Sequence, residues 1–108
     1  MITIEPLDSY DKGLRVSEHA GYAERGKDII CSAVSMSVQM VGQKIHSMGY
    51  GKYTRFKEGE IIIEIFDEFR EKAWTFMSML IESLAMLQKQ FPKYIQIKEE
   101  EHDKETWI

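Results

Sequence analysis

The sequence predicts a single compact α+β domain, in which two long amphipathic helices pack on a small mixed or antiparallel sheet in the order ββα–ββα–β. Two segments carry apolar residues at helical spacing, and the short segments around them alternate apolar and polar residues at strand spacing. A chain of 108 residues has room for one domain of this kind. We assign residues 1–98 to the domain and expect the acidic segment 99–108 to be a flexible tail.

A hairpin is predicted over residues 1–18. Apolar and polar residues alternate from Ile2 to Glu5, and Pro6 is expected to end this first strand because it lacks an N–H for the sheet. Turn-forming residues occupy positions 8–13, and the alternation then resumes in a second strand.

The first long helix is predicted to run from Asp28, as its N-cap, to a stop at Gly49. The residues before it, 19–27, show no period and contain Gly21 and Gly26, so we expect a flexible loop there. The apolar residues of the helix recur every three or four positions and form one stripe, made of Ile30, Val34, Val38, Val41, Ile45 and Met48.

A second strand pair and a second helix repeat this arrangement. Lys52–Phe56 and Glu60–Phe66 are predicted to pair as a hairpin, since the second of these segments is rich in isoleucine. The second helix is predicted to begin at Asp67 and to end before Pro92. Tyr94–Ile97 is then a short last strand.

Composition excludes several classes of protein. Lys and Arg number 14 against 18 Asp and Glu, a net charge of −4 that is poorly suited to binding nucleic acid. No apolar segment is long enough to span a membrane, the first residues do not resemble a signal peptide, and we therefore expect a cytoplasmic protein. The single cysteine, Cys31, excludes an internal disulfide and a cysteine-based metal site. It remains open to three roles: a buried apolar residue, an intermolecular link or a reactive thiol.

One segment combines residues that suit catalysis. Cys31 lies near the start of the first predicted helix, where the amide dipoles favour the thiolate over the thiol. His19 lies twelve positions earlier, and a Cys–His pair within hydrogen-bond distance is sufficient for nucleophilic attack on an amide. The residues alone equally allow a buried structural Cys31 and a surface loop histidine.

This segment, HAGYAERGKDIICSAVS, strongly resembles the signature of the ribosomal-processing cysteine proteases of the Prp family. The resemblance extends to the FPKYIQI ending and covers nearly all of residues 1–98. It implies that Cys31 is the nucleophile and His19 the general base, with Asp28 and Ser35 as supporting residues. It implies no metal and no organic cofactor.

The resemblance also implies a substrate. Family members remove a short N-terminal extension from large-subunit ribosomal protein twenty-seven, phage structural proteins are further candidate substrates, and members are commonly homodimers. Glu18 departs from the family, in which a glycine usually precedes the histidine. The alternative hypothesis is therefore a non-catalytic module that keeps the fold and binds a ribosomal or other protein.

Three residues have two interpretations each. Asp28 either caps the helix, which we favour, or orients the imidazole of His19 as the third member of a triad does. Ser35, one turn after Cys31, either donates a hydrogen bond to the sulfur or packs. Met36 and, one turn later, Met40 form either an exposed partner surface or the second buried face of a helix.

Overall fold

The computed structural model describes residues 1–18, 27–56 and 59–100, without the side chains of Glu18, Lys27 and Asp28. The predicted order ββα–ββα–β is confirmed, with one additional 3₁₀ turn before the second helix. The elements are β1 (Ile2–Leu7), β2 (Ser9–Glu18), α1 (Lys27–Met48), β3 (Gly51–Arg55), β4 (Ile61–Ile65), the 3₁₀ turn (Asp67–Phe69), α2 (Arg70–Gln90) and β5 (Ile95–Ile97).

The five strands form one mixed sheet in the order β3-β4-β2-β1-β5. β1 pairs with β2, β2 with β4, and β4 with β3, all antiparallel, whereas β5 lies parallel to β1. Each helix connects two strands that are parallel to each other: α1 leads from β2 to β3, and α2 leads from β4 to β5. The strand order had not been predicted, because alternation of residue types does not say which strands are neighbours.

The core lies between one face of the sheet and the two helices, which also contact each other. Alternate strand residues such as Ile4, Leu14 and Ile63 are buried, whereas their neighbours Glu5 and Arg15 are partly exposed on the other face and form an ion pair. The predicted helix stripes supply the other half of the core. The stripe residues that are buried are Ile30, Val34, Val38, Val41 and Ile45 on α1, and Ala73, Met77, Leu80 and Leu84 on α2.

The first hairpin differs from its prediction. β1 does not end at Pro6 but continues to Leu7, and Pro6 is paired with Leu14 on β2. Proline is tolerated there because the β5 register ends opposite Ile4, so this end of β1 has a strand partner on one side only. The chain reverses at Asp8, which has a positive φ of 72°, and the pairing of β1 with β2 shifts register at this end.

The helices also depart from their predicted limits at three points. α1 begins at Lys27, so Asp28 lies inside the first turn and is not the N-cap. Met48, assigned to the apolar stripe, is 44% exposed because it lies in the last turn, beyond the sheet. Residues from Asp67 to Phe69 form a 3₁₀ turn, and α2 itself begins at Arg70.

The start of the predicted tail contacts the domain. A carboxylate oxygen of Glu100 accepts a hydrogen bond from the backbone N–H of Tyr10 at 2.8 Å. Residues 101–108 lie outside the described residues, so the flexible tail stays a prediction. In the described part of the chain, neither long helix is apolar enough to cross a membrane.

Candidate active site

A cleft of about 400 Å³ opens where the first three turns of α1 meet the sheet. Its apolar wall comes from buried sheet residues on three neighbouring strands, Ile2, Val16 and Ile61. Its other walls come from one side of α1 and from the chain between β3 and β4. The lining residues there are Cys31, Ser32, Val34, Ser35, Met36 and Gln39 on α1, and Arg55, Phe56, Gly59 and Glu60 on the β3–β4 side.

Cys31 is the fifth residue of α1 and lines this cleft as a partly buried cysteine. It packs against the apolar core on one side, which accounts for its apolar neighbours in the sequence. Its other side borders the cleft. The first four backbone N–H groups of a helix have no acceptor within the helix, so the amides just before Cys31 favour negative charge nearby.

Ser35 lies one turn after Cys31 and lines the same cleft. Its Oγ accepts a hydrogen bond from Gln39 Nε2 at 2.7 Å, one further turn along α1. Gln39 Oε1 in turn accepts a hydrogen bond from Arg55 Nη1 at 3.3 Å, which joins α1 to β3. The structure therefore brings Cys31 and Ser35, two of the predicted site residues, into one cleft and adds a polar network that the sequence had not revealed.

The described charged residues that line the cleft are Arg55 and Glu60. Glu60 lies near Arg15, whose side chain is on the outer face of the sheet, and 3.9 Å separates Arg15 Nη1 from Glu60 Oε2. The positive charge of Arg15 therefore offsets part of the negative charge of Glu60. Arg55 contacts the neutral amide of Gln39 and also lowers the pKa of Tyr53, although burial raises that pKa more. Among the described lining residues, one cation and one anion thus face a cleft with an apolar wall.

The structure describes the remaining predicted site residues only in part. His19, Gly21 and Gly26 lie outside the described residues, and Asp28 is described only as the second residue of α1. β2 ends at Glu18, whose partner across the sheet is Ile2, a lining residue of the cleft. Their functional roles stay predictions.

Sequence reasoning missed Gln39 and Arg55. The position of Gln39, four residues after Ser35 and eight after Cys31, places all three on one side of the helix, and this spacing could have revealed it. No sequence pattern points to Arg55, because its approach to α1 depends on how β3 packs against the helix.

A second depression, about 740 Å³ in volume, lies between the start of β2 and the start of α2. Its described lining consists of five carboxylates, Arg70 and Trp74, with no serine, cysteine or histidine among them. It is larger than the Cys31 cleft but offers no nucleophile. We therefore assign the candidate active site to the smaller cleft.

Comparison with known sequences identifies the family. The sequence model of the family described as "Cysteine protease Prp" matches residues 1–96. No curated protein sequence is similar enough to match the chain.

Several solved structures share the fold. The essential ribosomal processing protease Prp from Staphylococcus aureus, in complex with a substrate peptide, superposes with a TM-score of 0.75 at 17% identity, over 91% of this chain and 98% of that one. The same protease with a covalently linked product peptide gives a TM-score of 0.71 at 18% identity, with the same coverage. SMU.848 from Streptococcus mutans gives 0.69 at 19% identity, over 91% of this chain and 92% of that one. Because the family model spans nearly the whole domain, and the fold is that of the Staphylococcus aureus protease, the chain belongs to the cysteine protease Prp family.

Proposed function

We propose that the chain is a cysteine endopeptidase that removes a short N-terminal extension from the precursor of large-subunit ribosomal protein twenty-seven. The observation that carries the proposal is the thiol of Cys31, partly buried near the start of a long helix and lining a cleft of about 400 Å³. The family gives the reaction class, since the matched family is that of a cysteine protease. Phage structural proteins are further candidate substrates.

A peptide is the substrate class that the relatives and the cleft both favour. The Staphylococcus aureus protease has been crystallised with a substrate peptide and with a covalently linked product peptide. In this chain the cleft offers an apolar wall for side chains and polar groups, at Ser35, Gln39 and Arg55, for backbone amides. No cofactor is required for the chemistry that follows.

In the proposed mechanism, His19 takes the proton of the Cys31 thiol and the thiolate attacks the carbonyl carbon of the scissile bond. Free amides at the start of α1 stabilise the oxyanion that forms. The C–N bond then breaks, the His19 proton passes to the leaving amine, and a thioester remains on Cys31. A water molecule that gives its proton to His19 hydrolyses the thioester, and that proton returns to the sulfur.

We assign Asp28 and Ser35 to supporting roles. Asp28 lies in the first turn of α1, where a carboxylate is favoured by the helix dipole, and it supports the start of the helix that holds Cys31. Ser35 is a hydrogen-bond donor within reach of the reacting groups, since residues four apart on a helix are neighbours.

We propose further that the protein is a cytoplasmic homodimer. A free thiol persists in a reducing compartment. Met36 and Met40 are 58% and 66% exposed, so the interpretation of this face of α1 as a second buried face within the protomer is wrong. An exposed apolar helix face of this kind is typical of a partner surface.

The decisive experiment incubates the protein with a tagged ribosomal protein precursor and measures the intact mass of the products. We expect one cleavage with the parent protein and none with Cys31→Ala or His19→Ala. His46→Ala is the matched control, because His46 is an exposed histidine elsewhere on α1. A folded Cys31→Ala protein that still cleaves would overturn the proposal.

Alkylation separates the proposal from a non-catalytic binding module. A catalytic thiol reacts quickly with iodoacetamide near neutral pH because it is ionised there, whereas an ordinary thiol reacts slowly. Slow alkylation, together with binding of the precursor without cleavage, would favour the binding module.

A further inference from the structure

The hydroxyl of Ser35 is bonded differently from those of Ser37, Ser47, Ser78 and Ser83, which all donate to a backbone carbonyl about one turn back. Ser37 and Ser83 each donate to the carbonyl four residues back, at 2.8 and 2.9 Å, which is the usual arrangement of a helical serine. Ser35 accepts a hydrogen bond from Gln39 Nε2, and no described residue accepts its own hydrogen. The Ser35 hydrogen is therefore available to a group in the cleft.

Arg55 fixes the direction of this bond. The amide of Gln39 can present either its oxygen or its NH₂ group to Ser35. Because Arg55 has only donors, it holds the Gln39 oxygen toward itself, and the NH₂ group faces Ser35. Donors thus point in one direction, from the cation on β3 through Gln39 to Ser35, and all three residues line the cleft that contains Cys31.

We propose that Gln39 and Arg55 are positioning residues that hold the Ser35 hydroxyl as a donor to the thiolate of Cys31. Gln39 occupies the acceptor side of Ser35 Oγ, and Ser35 and Cys31 are neighbours on one face of α1. The guanidinium at the start of the network polarises each bond in the direction that favours negative charge in the cleft. This role does not require either residue to contact the substrate.

Other ionisable residues also lie near Cys31. Among the described cleft residues the only carboxylate side chain is that of Glu60, which lies near Arg15. Of the ionisable residues that are described by their backbone alone, Lys27 and Asp28 lie in the first turn of α1 and Glu18 lies at the end of β2. Substitutions of Gln39 leave all of these charges in place, so a change in Cys31 reactivity would report the network.

The proposal rests on the proposed function, but its test does not require protease activity. The rate of iodoacetamide alkylation of Cys31 is measured from pH 4 to 10 for the parent, Gln39→Leu and Gln43→Leu. Gln43 is the matched control, being an exposed glutamine one turn further along α1. For Gln39→Leu we expect the rate near neutral pH to fall about two- to tenfold, the effect of one hydrogen bond, with the same limiting rate at high pH. Gln43→Leu should match the parent.

A second pair of variants separates positioning from a general effect on structure. Introduced into Ser35→Ala, Gln39→Leu should have no further effect, because the residue through which it acts is gone. Arg55→Met should move the pH profile in the same direction as Gln39→Leu, and it serves as the test if Gln39→Leu fails to fold.

Two results would overturn the proposal: an unchanged pH profile in both Gln39→Leu and Arg55→Met, or an equal shift in the presence and absence of Ser35. Cleavage assays keep this outcome distinct from failure of the proposed function. If the parent cleaves its substrate while the pH profiles of parent and variants coincide, the proposed network is wrong and the proposed function stands. If the pH profiles shift but the parent cleaves nothing, the proposed protease function is wrong and the network stands.

Discussion

The ring of Tyr53 on β3 lies directly against Gly42 on α1. A Cβ atom at Gly42 would stand 2.5 Å from Tyr53 Cδ1, closer than carbon atoms of neighbouring side chains approach. Gly42 lies inside the helix, so the contact requires the absence of a side chain and not an unusual backbone angle. Because Gln39 is one turn before Gly42 and Arg55 is two residues after Tyr53, this close approach also brings Gln39 and Arg55 of the cleft network together.

Gly42→Ala is therefore expected to destabilise the protein. Overpacking typically costs about 1–3 kcal/mol, which exceeds the gain of about 1 kcal/mol from replacing glycine by alanine in a helix. Urea unfolding measures the difference. Gln43→Ala, an exposed change at the next position, should leave stability nearly unchanged. An increase in stability for Gly42→Ala would show that Tyr53 moves aside without cost.

The opposite effect on stability is expected for Tyr53→Phe, which removes the Tyr53 hydroxyl. The oxygen is buried, and no residue in the described part of the chain gives it a hydrogen bond. An unsatisfied buried polar group costs about 1–3 kcal/mol, so its removal should raise the free energy of unfolding or leave it unchanged. Thermal and urea unfolding test this. A clear loss of stability would mean that the hydroxyl is paired in solution.

Tyr10 provides the matched comparison, because its hydroxyl donates a hydrogen bond to the backbone carbonyl of Lys98. Tyr10→Phe should lose about 0.5–1.5 kcal/mol, the usual contribution of one hydrogen bond. Removal of the hydroxyl is thus expected to lower the free energy of unfolding at Tyr10, and to raise it or leave it unchanged at Tyr53. If both variants change stability in the same direction, hydrogen bonding does not explain the difference.

Tyr10 also makes the stability of the protein depend on pH. Burial, and then the negative charges of Glu100 and Glu5, raise the pKa of Tyr10 to about 12. In the unfolded chain tyrosine ionises near pH 10, so above that pH the unfolded state loses a proton that the folded state keeps, and stability falls. The difference in stability between the parent and Tyr10→Phe should therefore be constant below about pH 10 and should shrink as the pH rises toward 12. A difference that stays constant to pH 12 would contradict this.

The sequence predicted the elements well and their contacts poorly. The apolar stripe from Ile30 to Ile45 and the alternation from Ile61 to Ile65 each depend on one periodicity, and both residue sets are buried as expected. Pro6 misled the prediction, because a proline ends a strand only where its N–H would have been needed. The contact of Gln39 with Arg55 joins elements whose packing depends on Gly42, and no local pattern encodes it.

The Asp11–Arg70 pair joins β2 to the first residue of α2 across 59 positions of sequence. Arg70 Nη2 lies 2.5 Å from Asp11 Oδ2, and Ser9 also donates to the Asp11 carboxylate. Partial burial raises the pKa of Asp11, but the hydrogen bonds from Ser9 and Arg70, together with the Arg70 charge, outweigh it and the pKa is lowered.

A lowered pKa means that the folded state favours the carboxylate, so this contribution to stability is present above the unfolded pKa of about 3.9 and is lost as the pH falls through the lower folded value. Asp11→Asn should be less stable than the parent at pH 7, by about 0.2–1 kcal/mol for a partly exposed pair. The difference should shrink as the pH falls below about 3.9. Glu82→Gln, an exposed change on α2, is the control and should show no such trend.

Met36 and Met40 allow the cleft itself to be tested. Both are exposed on α1, one turn apart, but only Met36 lines the Cys31 cleft. If a peptide binds there, it covers the Met36 side chain, and Met36→Ala removes apolar contact worth about 1–2 kcal/mol. We expect kcat/KM for the precursor to fall about five- to thirtyfold, mainly through KM, since the contact is made equally in the bound substrate and the transition state. Met40→Ala should keep the parent value, and both variants should unfold at the parent's urea concentration. An equal loss in the two variants would place the substrate along the outer face of α1 and not in the cleft.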